Sequence, residues 1–161
     1  VTCTASDGCH VAGTCNPSNG LCSNPAASDG TSCDDGDATT CGDTCSAGVC
    51  SGTPVPEPPE IGSDVAIVRS AGSGTLSWTD LPGPYNVYRG AIDLSTPWAY
   101  THACLVPDDT ETHAAIDQDP PPGTLFYYLV SRVNQCRESV IGRDGSGAPI
   151  PNASACGGGQ P

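Results

Sequence analysis

The sequence predicts an all-β protein in which a small, disulfide-rich, loop-dominated module precedes a β-sandwich. Three observations carry that expectation. Eleven cysteines stand in 161 residues, and eight of them fall within residues 3–50. Twenty glycines and 16 prolines punctuate the chain too often for helical packing, and they carry no collagen period. Beyond residue 63, short segments rich in branched and aromatic residues are bounded by Gly and Pro, the pattern of sandwich strands.

Residues 1–53 form the cysteine-rich module, in two four-cysteine units. The first holds Cys3, Cys9, Cys15 and Cys22; the second holds Cys33, Cys41, Cys45 and Cys50. Thr14-Cys15 runs through six residues to Cys22-Ser23, and Thr44-Cys45 through four to Cys50-Ser51, a degenerate internal repeat. Asn16-Pro17-Ser18-Asn19-Gly20 and Ser46-Ala47-Gly48 are turn sequences. Leu21 and Val49 each precede the last cysteine and are placed to cover its disulfide. With one Phe and no Met, the chain has little core to set against its entropy, so bridges must supplement it. No CxxC spacing offers zinc its thiolates, and no CxxCH offers haem an attachment. Four cysteines allow three pairings per unit; first-with-third and second-with-fourth is the expectation.

Residues 54–63 are a linker. Pro54, Pro56, Pro58 and Pro59 favour extended polyproline II, which makes a semi-rigid spacer. Strands are expected at Asp64–Ser70, Gly74–Asp80, Tyr85–Ile92 and Leu125–Val133, with weaker ones near Trp98–Leu105 and Ser139–Arg143. Residues 64–147 make the sandwich, and residues 148–161 a Gly- and Pro-rich tail that reads as flexible at Gly157-Gly158-Gly159.

Thr75-Leu76-Ser77-Trp78, Tyr85-Asn86-Val87-Tyr88-Arg89 and Pro122 through Val130 resemble three strands of a fibronectin type III domain. The resemblance implies an immunoglobulin-like sandwich with Trp78 in the core and Tyr85, Val87, Tyr128 and Val130 facing inward. Phe126 stands where the family has its corner tyrosine and cannot make that hydroxyl bond, so the corner is lost or Tyr127 supplies it otherwise. Arg132 stands where the family favours a small inward residue, so it must snorkel or pair with an acid. Cys9-His10-Val11-Ala12-Gly13-Thr14-Cys15 and Gly30 through Asp37 resemble cysteine-rich repeats of secreted proteins from Gram-negative bacteria. That resemblance implies an extracellular or cell-surface location.

Eighteen acids against five arginines and no lysine give a net charge of −13. This surface lacks the basic footprint of a nucleic-acid binder and repels anionic membranes, and no apolar run reaches spanning length. With Val1 first, the sequence is expected to be a processed form or a fragment. Asp34, Asp35, Asp37 and Asp43 are candidate calcium ligands, because clustered carboxylates on a Gly-bent loop suit a cation that takes six to eight oxygens. The plain alternative is a solvated Asp-Gly turn. Asp108, Asp109 and Glu111 read as an exposed loop. His10, His102 and His113 share no metal spacing.

No G-x-S-x-G elbow or phosphate-binding loop is present, so no enzymatic activity is expected. Of the three C-terminal cysteines, Cys136 with Cys156 is the expected bridge and Cys104 with Cys136 the competing one. Cys104 is then left unpaired, either for an interchain bond or as a buried thiol. Asn152-Ala153-Ser154 is a glycosylation sequon. Two functions fit: an extracellular structural and interaction protein that self-associates or joins other surface proteins as a fibre subunit, or an accessory module that binds glycan or polymer. For the second, Tyr88, Tyr127, Trp98 and Tyr100 are candidate stacking residues, against ordinary core packing.

Overall fold

The computed structural model describes residues 1–157 apart from positions 63, 71, 72, 80 and 82. Asp80 of the expected second strand, Ser63 of the linker and the tail glycines Gly158 and Gly159 lie outside the described residues. Among the described residues there is no helix, and the strands form three small antiparallel sheets. Contacts divide the chain into two compact units, the first Val1–Pro56 and the second beginning at Glu57. The division falls within the proline-rich stretch.

The first unit is more regular than its composition suggests. β1 (Thr40–Ser46) and β2 (Val49–Pro54) form a hairpin in which Ser46 faces Val49 and Cys45 faces Cys50. The two loop residues, Ala47 at φ 50° and Gly48 at φ 83°, are both left-handed, as a type I′ turn requires. Alanine is costly in that region, and here its N–H is held by Asp29 Oδ1 at 2.7 Å. Elsewhere the unit is tied by single bridges, His10 to Ala26, Cys15 to Cys22 and Ser32 to Thr44.

The disulfides depart from the expected pairing. Cys3 joins Cys22 and Cys33 joins Cys50, first with fourth in each case, while Cys9 crosses to Cys45. Cys41 is also disulfide-bonded, and the free cysteine is Cys15. The reason lies in the hairpins. Folding the chain back on itself sets third and fourth cysteines opposite one another, and the bonds then run outward to strands that the local sequence does not reveal. Cys9 and Cys45 are the buried apolar side chains of this unit, at 2% and 1% exposure, so a disulfide takes the place of a core. Leu21 and Val49 are largely exposed, at 67% and 65%.

The second unit holds two three-stranded sheets. One has the order β3 (Ala66–Ser70), β4 (Ser73–Ser77), β7 (His113–Ile116); the other β6 (Ala103–Asp109), β5 (Tyr85–Asp93), β8 (Thr124–Arg132). Period-two alternation sends Leu76, Ala114 and Ile116 from the first sheet, and Tyr85, Val87 and Val130 from the second, into one apolar cluster with Trp78 and Ile61. Tyr128 packs against it, half-buried. Arg132 is buried too. Tyr85 Oη donates to the Leu81 carbonyl and accepts the Leu81 N–H at 3.0 Å, so a tyrosine-to-backbone bond is made four residues back, far from Phe126.

Three strand expectations shift. β6 starts at Ala103 rather than Trp98, because Thr101 Oγ1 bonds the Ala91 carbonyl at 2.7 Å and substitutes for a ladder pair. β7 was not expected, since four residues with one alternation carry little signal. Residues 139–143 form no strand: an isolated bridge joins Val133 to Glu138 just before them, and another joins Arg143 to Pro149.

The opposite face of the β6-β5-β8 sheet is also covered. Tyr88 is fully buried there with Ile141, Ile150 and Cys156, and Tyr100 and Leu129 pack around them. The C-terminal segment therefore builds a second core. Cys156 bonds Cys104, correcting both expected pairings and the unpaired status given to Cys104. Once the tail lies over β5, its cysteine reaches neighbouring β6, and Cys136 is bonded otherwise.

Candidate functional site

The acidic loop folds much as its residue types suggest. Gly36 N donates to Asp34 Oδ1 at 2.8 Å, Asp37 N to Asp35 Oδ1 at 2.8 Å, and Asp35 N to Asp43 Oδ2 at 3.0 Å. These Asx bonds bend the chain until Asp34, Asp35 and Asp43 each place a carboxylate oxygen within 4.8 Å of the others. Asp37 is not in that group; its Oδ1 accepts the Thr39 N–H and hydroxyl. The Asp37 N–H, the largest influence on Asp35, holds that carboxyl below its ordinary pKa. Asp43 enters from β1 with Oδ1 buried and without a hydrogen-bond partner. It fits because residue 52 is glycine: a Cβ there would lie 1.8 Å from Asp43 Oδ1. Three close carboxylates, one with a buried unpartnered oxygen, offer a hard cation its oxygens. Cys9, Cys33 and Cys50 also converge, but all three are in disulfides and cannot serve as thiolate ligands.

At one end of the β6-β5-β8 sheet, Trp98, Tyr100, His102 and Tyr127 form an aromatic cluster. Trp98 lies 5.7 Å from both Tyr100 and Tyr127, and His102 lies 6.2 Å from Tyr127. Tyr127 folds flat over Gly90, its cross-strand partner, where a Cβ would meet the ring at 2.0 Å. The tyrosine hydroxyl accepts the Thr101 N–H at 2.7 Å, which fixes the loop carrying Trp98. Trp98 is 57% exposed, and Leu94 and Leu125 beside this end are exposed as well. Of the four stacking candidates, Tyr88 is not available, being wholly buried, while Trp98, Tyr100 and Tyr127 are brought together. Burial lowers the His102 pKa.

Sequence reasoning missed Glu138. Its Oε1 accepts from Asn86 Nδ2 at 3.0 Å, from Tyr88 Oη at 2.6 Å and from Ser131 Oγ. Asn152 Nδ2 donates to Tyr88 Oη at 3.0 Å and to Glu138 Oε2 at 3.2 Å, and Cys156 N donates to Tyr88 Oη at 3.0 Å. Burial is the main influence raising the Tyr88 pKa. This hub locks the tail to the sheet. It also engages the amide nitrogen that glycosylation of Asn152 would modify, so the sequon is not a free acceptor in the folded chain. No local signal marks Glu138, because its partners come from β5, β8 and the tail.

No family model, curated protein or solved structure matches this chain.

Proposed function

We propose that this chain is a non-enzymatic, extracellular structural and interaction protein that assembles with copies of itself into a surface fibre or filament. The observation that carries this is β3. It forms one edge of its sheet, and its adjacent residues Ile67 and Val68 are 47% and 69% exposed. Adjacent residues point to opposite faces, so both sides of the edge present branched apolar groups beside backbone that pairs on one side only. Soluble proteins usually blunt such an edge, and a strand from a neighbour completes it. Arg69 is drawn aside, to Asp119 at 2.5 Å, and does not guard the strand. A head-to-tail contact of this kind yields a filament when it does not close. The numerous disulfides support an oxidising, extracellular setting. We take the second unit as a fibronectin III-like sandwich, supported by its two antiparallel sheets that contribute to one cluster.

The test is light scattering and negative-stain microscopy of the native protein beside Val68→Lys. Elongated assemblies that Val68→Lys disperses are expected. A monodisperse globular wild type would overturn the proposal.

The exposed aromatic cluster favours a second reading, an accessory module for neutral glycan, because a sugar ring stacks on an open indole face. Retention on polysaccharide resin that Trp98→Ala abolishes is expected there. Indifference to a broad glycan panel would exclude it.

A further inference from the structure

The two four-cysteine units share more than composition. In each, the first cysteine bonds the fourth, as Cys3–Cys22 and Cys33–Cys50. In each, the third stands across from the fourth, Cys15 opposite Cys22 and Cys45 opposite Cys50. In each, the segment of the second cysteine pairs with the segment following the fourth. Ala27 N reaches the Cys9 carbonyl at 2.8 Å, and Cys41 faces Thr53. The units are therefore one structural repeat used twice.

What remains after these internal matches is the link from one repeat to another. The second cysteine of the first unit, Cys9, bonds the third cysteine of the second, Cys45. Gly8 and Cys9 thus lie against the Cys45 hairpin, and both sulfurs are buried. Cys41, in the same position as Cys9, is also oxidised. Cys15, in the same position as Cys45, is free and half-buried. One third-position cysteine is covered by the second cysteine of another unit, and the other is not.

We infer that Cys15 is the covalent docking point for a further four-cysteine unit, joined through that unit's second cysteine. Cys45 shows the ligand that this position takes: a Gly-Cys turn of a neighbouring repeat, closed by an Sγ–Sγ bond. The bond forms by exchange. The Cys15 thiolate attacks the incoming cysteine, carried as a mixed disulfide with a small thiol such as glutathione. The new disulfide forms, the mixed one breaks, and the small thiolate leaves and takes up the proton that Cys15 lost, with no net oxidation. This does not rest on assembly through β3, since Val68→Lys leaves Cys15 untouched.

The experiment duplicates residues 3–32 ahead of Cys3 in the full chain, which keeps the ten-residue spacing between Cys22 and Cys33. Disulfides are mapped by mass spectrometry after non-reducing digestion. The original Cys15 is expected to bond the second cysteine of the added copy, and the free thiol to move to the third cysteine of that copy. Cys15 remaining free, or exchanging into the Cys3–Cys22 bond, overturns the inference. A second measurement needs no refolding: the unaltered chain is mixed with a peptide of residues 6–13 carrying Cys9 as its glutathione disulfide. Coupling at Cys15 at least about fivefold faster than with a scrambled peptide is expected, the rate ratio of roughly 1 kcal/mol of specific docking. Equal rates, or Cys15–Cys15 dimers outpacing the peptide, overturn it.

Discussion

Replacing Cys104 and Cys156 together by serine should lower the stability of the second unit by about 4 kcal/mol. The bond spans a separation of 52 residues, and the loop-entropy relation gives ~4 kcal/mol for that length at 25 °C. Packing acts in the same direction. Cys156 is 6% exposed among Tyr88, Ile141 and Ile150, and serine would put a hydroxyl in that apolar setting. Both tryptophans, Trp78 and Trp98, lie in this unit, so fluorescence-monitored denaturation reads it without interference from the first. For a unit of about 100 residues, such a loss lowers the thermal midpoint by roughly 15–30 °C. Amide exchange should rise over Asn86–Tyr88 as the tail detaches. A loss below about 1 kcal/mol under non-reducing conditions would refute the account of the tail as a disulfide-held cover, since the loop-entropy relation predicts several times more.

Other consequences can be measured alongside. Glu138→Ala removes the acceptor of Asn86, Tyr88, Ser131 and Asn152, and should cost roughly 3 kcal/mol in urea unfolding, while Glu138→Gln costs less; equal, negligible losses would dismiss the hub. Gly90→Ala should displace Tyr127 and destabilise by about 1–3 kcal/mol with altered Trp98 emission, and an unchanged melt and spectrum would contradict the packing. Burial depresses the His102 pKa, so its contribution is full above the ordinary value of 6.5 and falls as pH drops through it. Melts from pH 7.5 to 5 should therefore show acid destabilisation that His102→Gln reduces, and a flat wild-type profile would refute it. A separate loss is expected below about pH 3.8, where Asp7, Asp35, Asp93 and Asp144, all held below that value, take up protons. Calorimetry should show one calcium ion per chain, lost in Asp43→Asn and retained in Asp37→Asn; no heat at millimolar calcium would remove the ion.

The legible parts of the fold share a physical character: their signal is local. Runs rich in branched and aromatic residues mark β5 and β8, and the three motifs that resemble fibronectin strands imply that Trp78, Tyr85, Val87 and Val130 face inward, where they are buried. The acidic loop was legible for the same reason. Asx bonds reach two residues along the chain, so Asp34 and Asp35 bend together wherever a glycine allows it. Asp37 shows the limit, since the same chemistry let it cap its own turn instead.

The rest needed long-range contact. Tyr88 looks in sequence like any strand aromatic, and only the tail, more than 50 residues away, turns it into a core residue. Cys104 looked unpaired because the fold of the tail was not visible, and Cys15 looked paired because an even count of eight invited it.

That the chain is all-β and disulfide-rich can be read from its residues alone. Those properties follow from composition and from periodicities that each residue carries with its neighbours. Which cysteines bond, which face of the sheet is covered and which thiol is left follow from the folded arrangement instead. A disulfide needs two Cβ atoms brought within a few ångströms, and that proximity belongs to the folded chain rather than to the spacing of its letters.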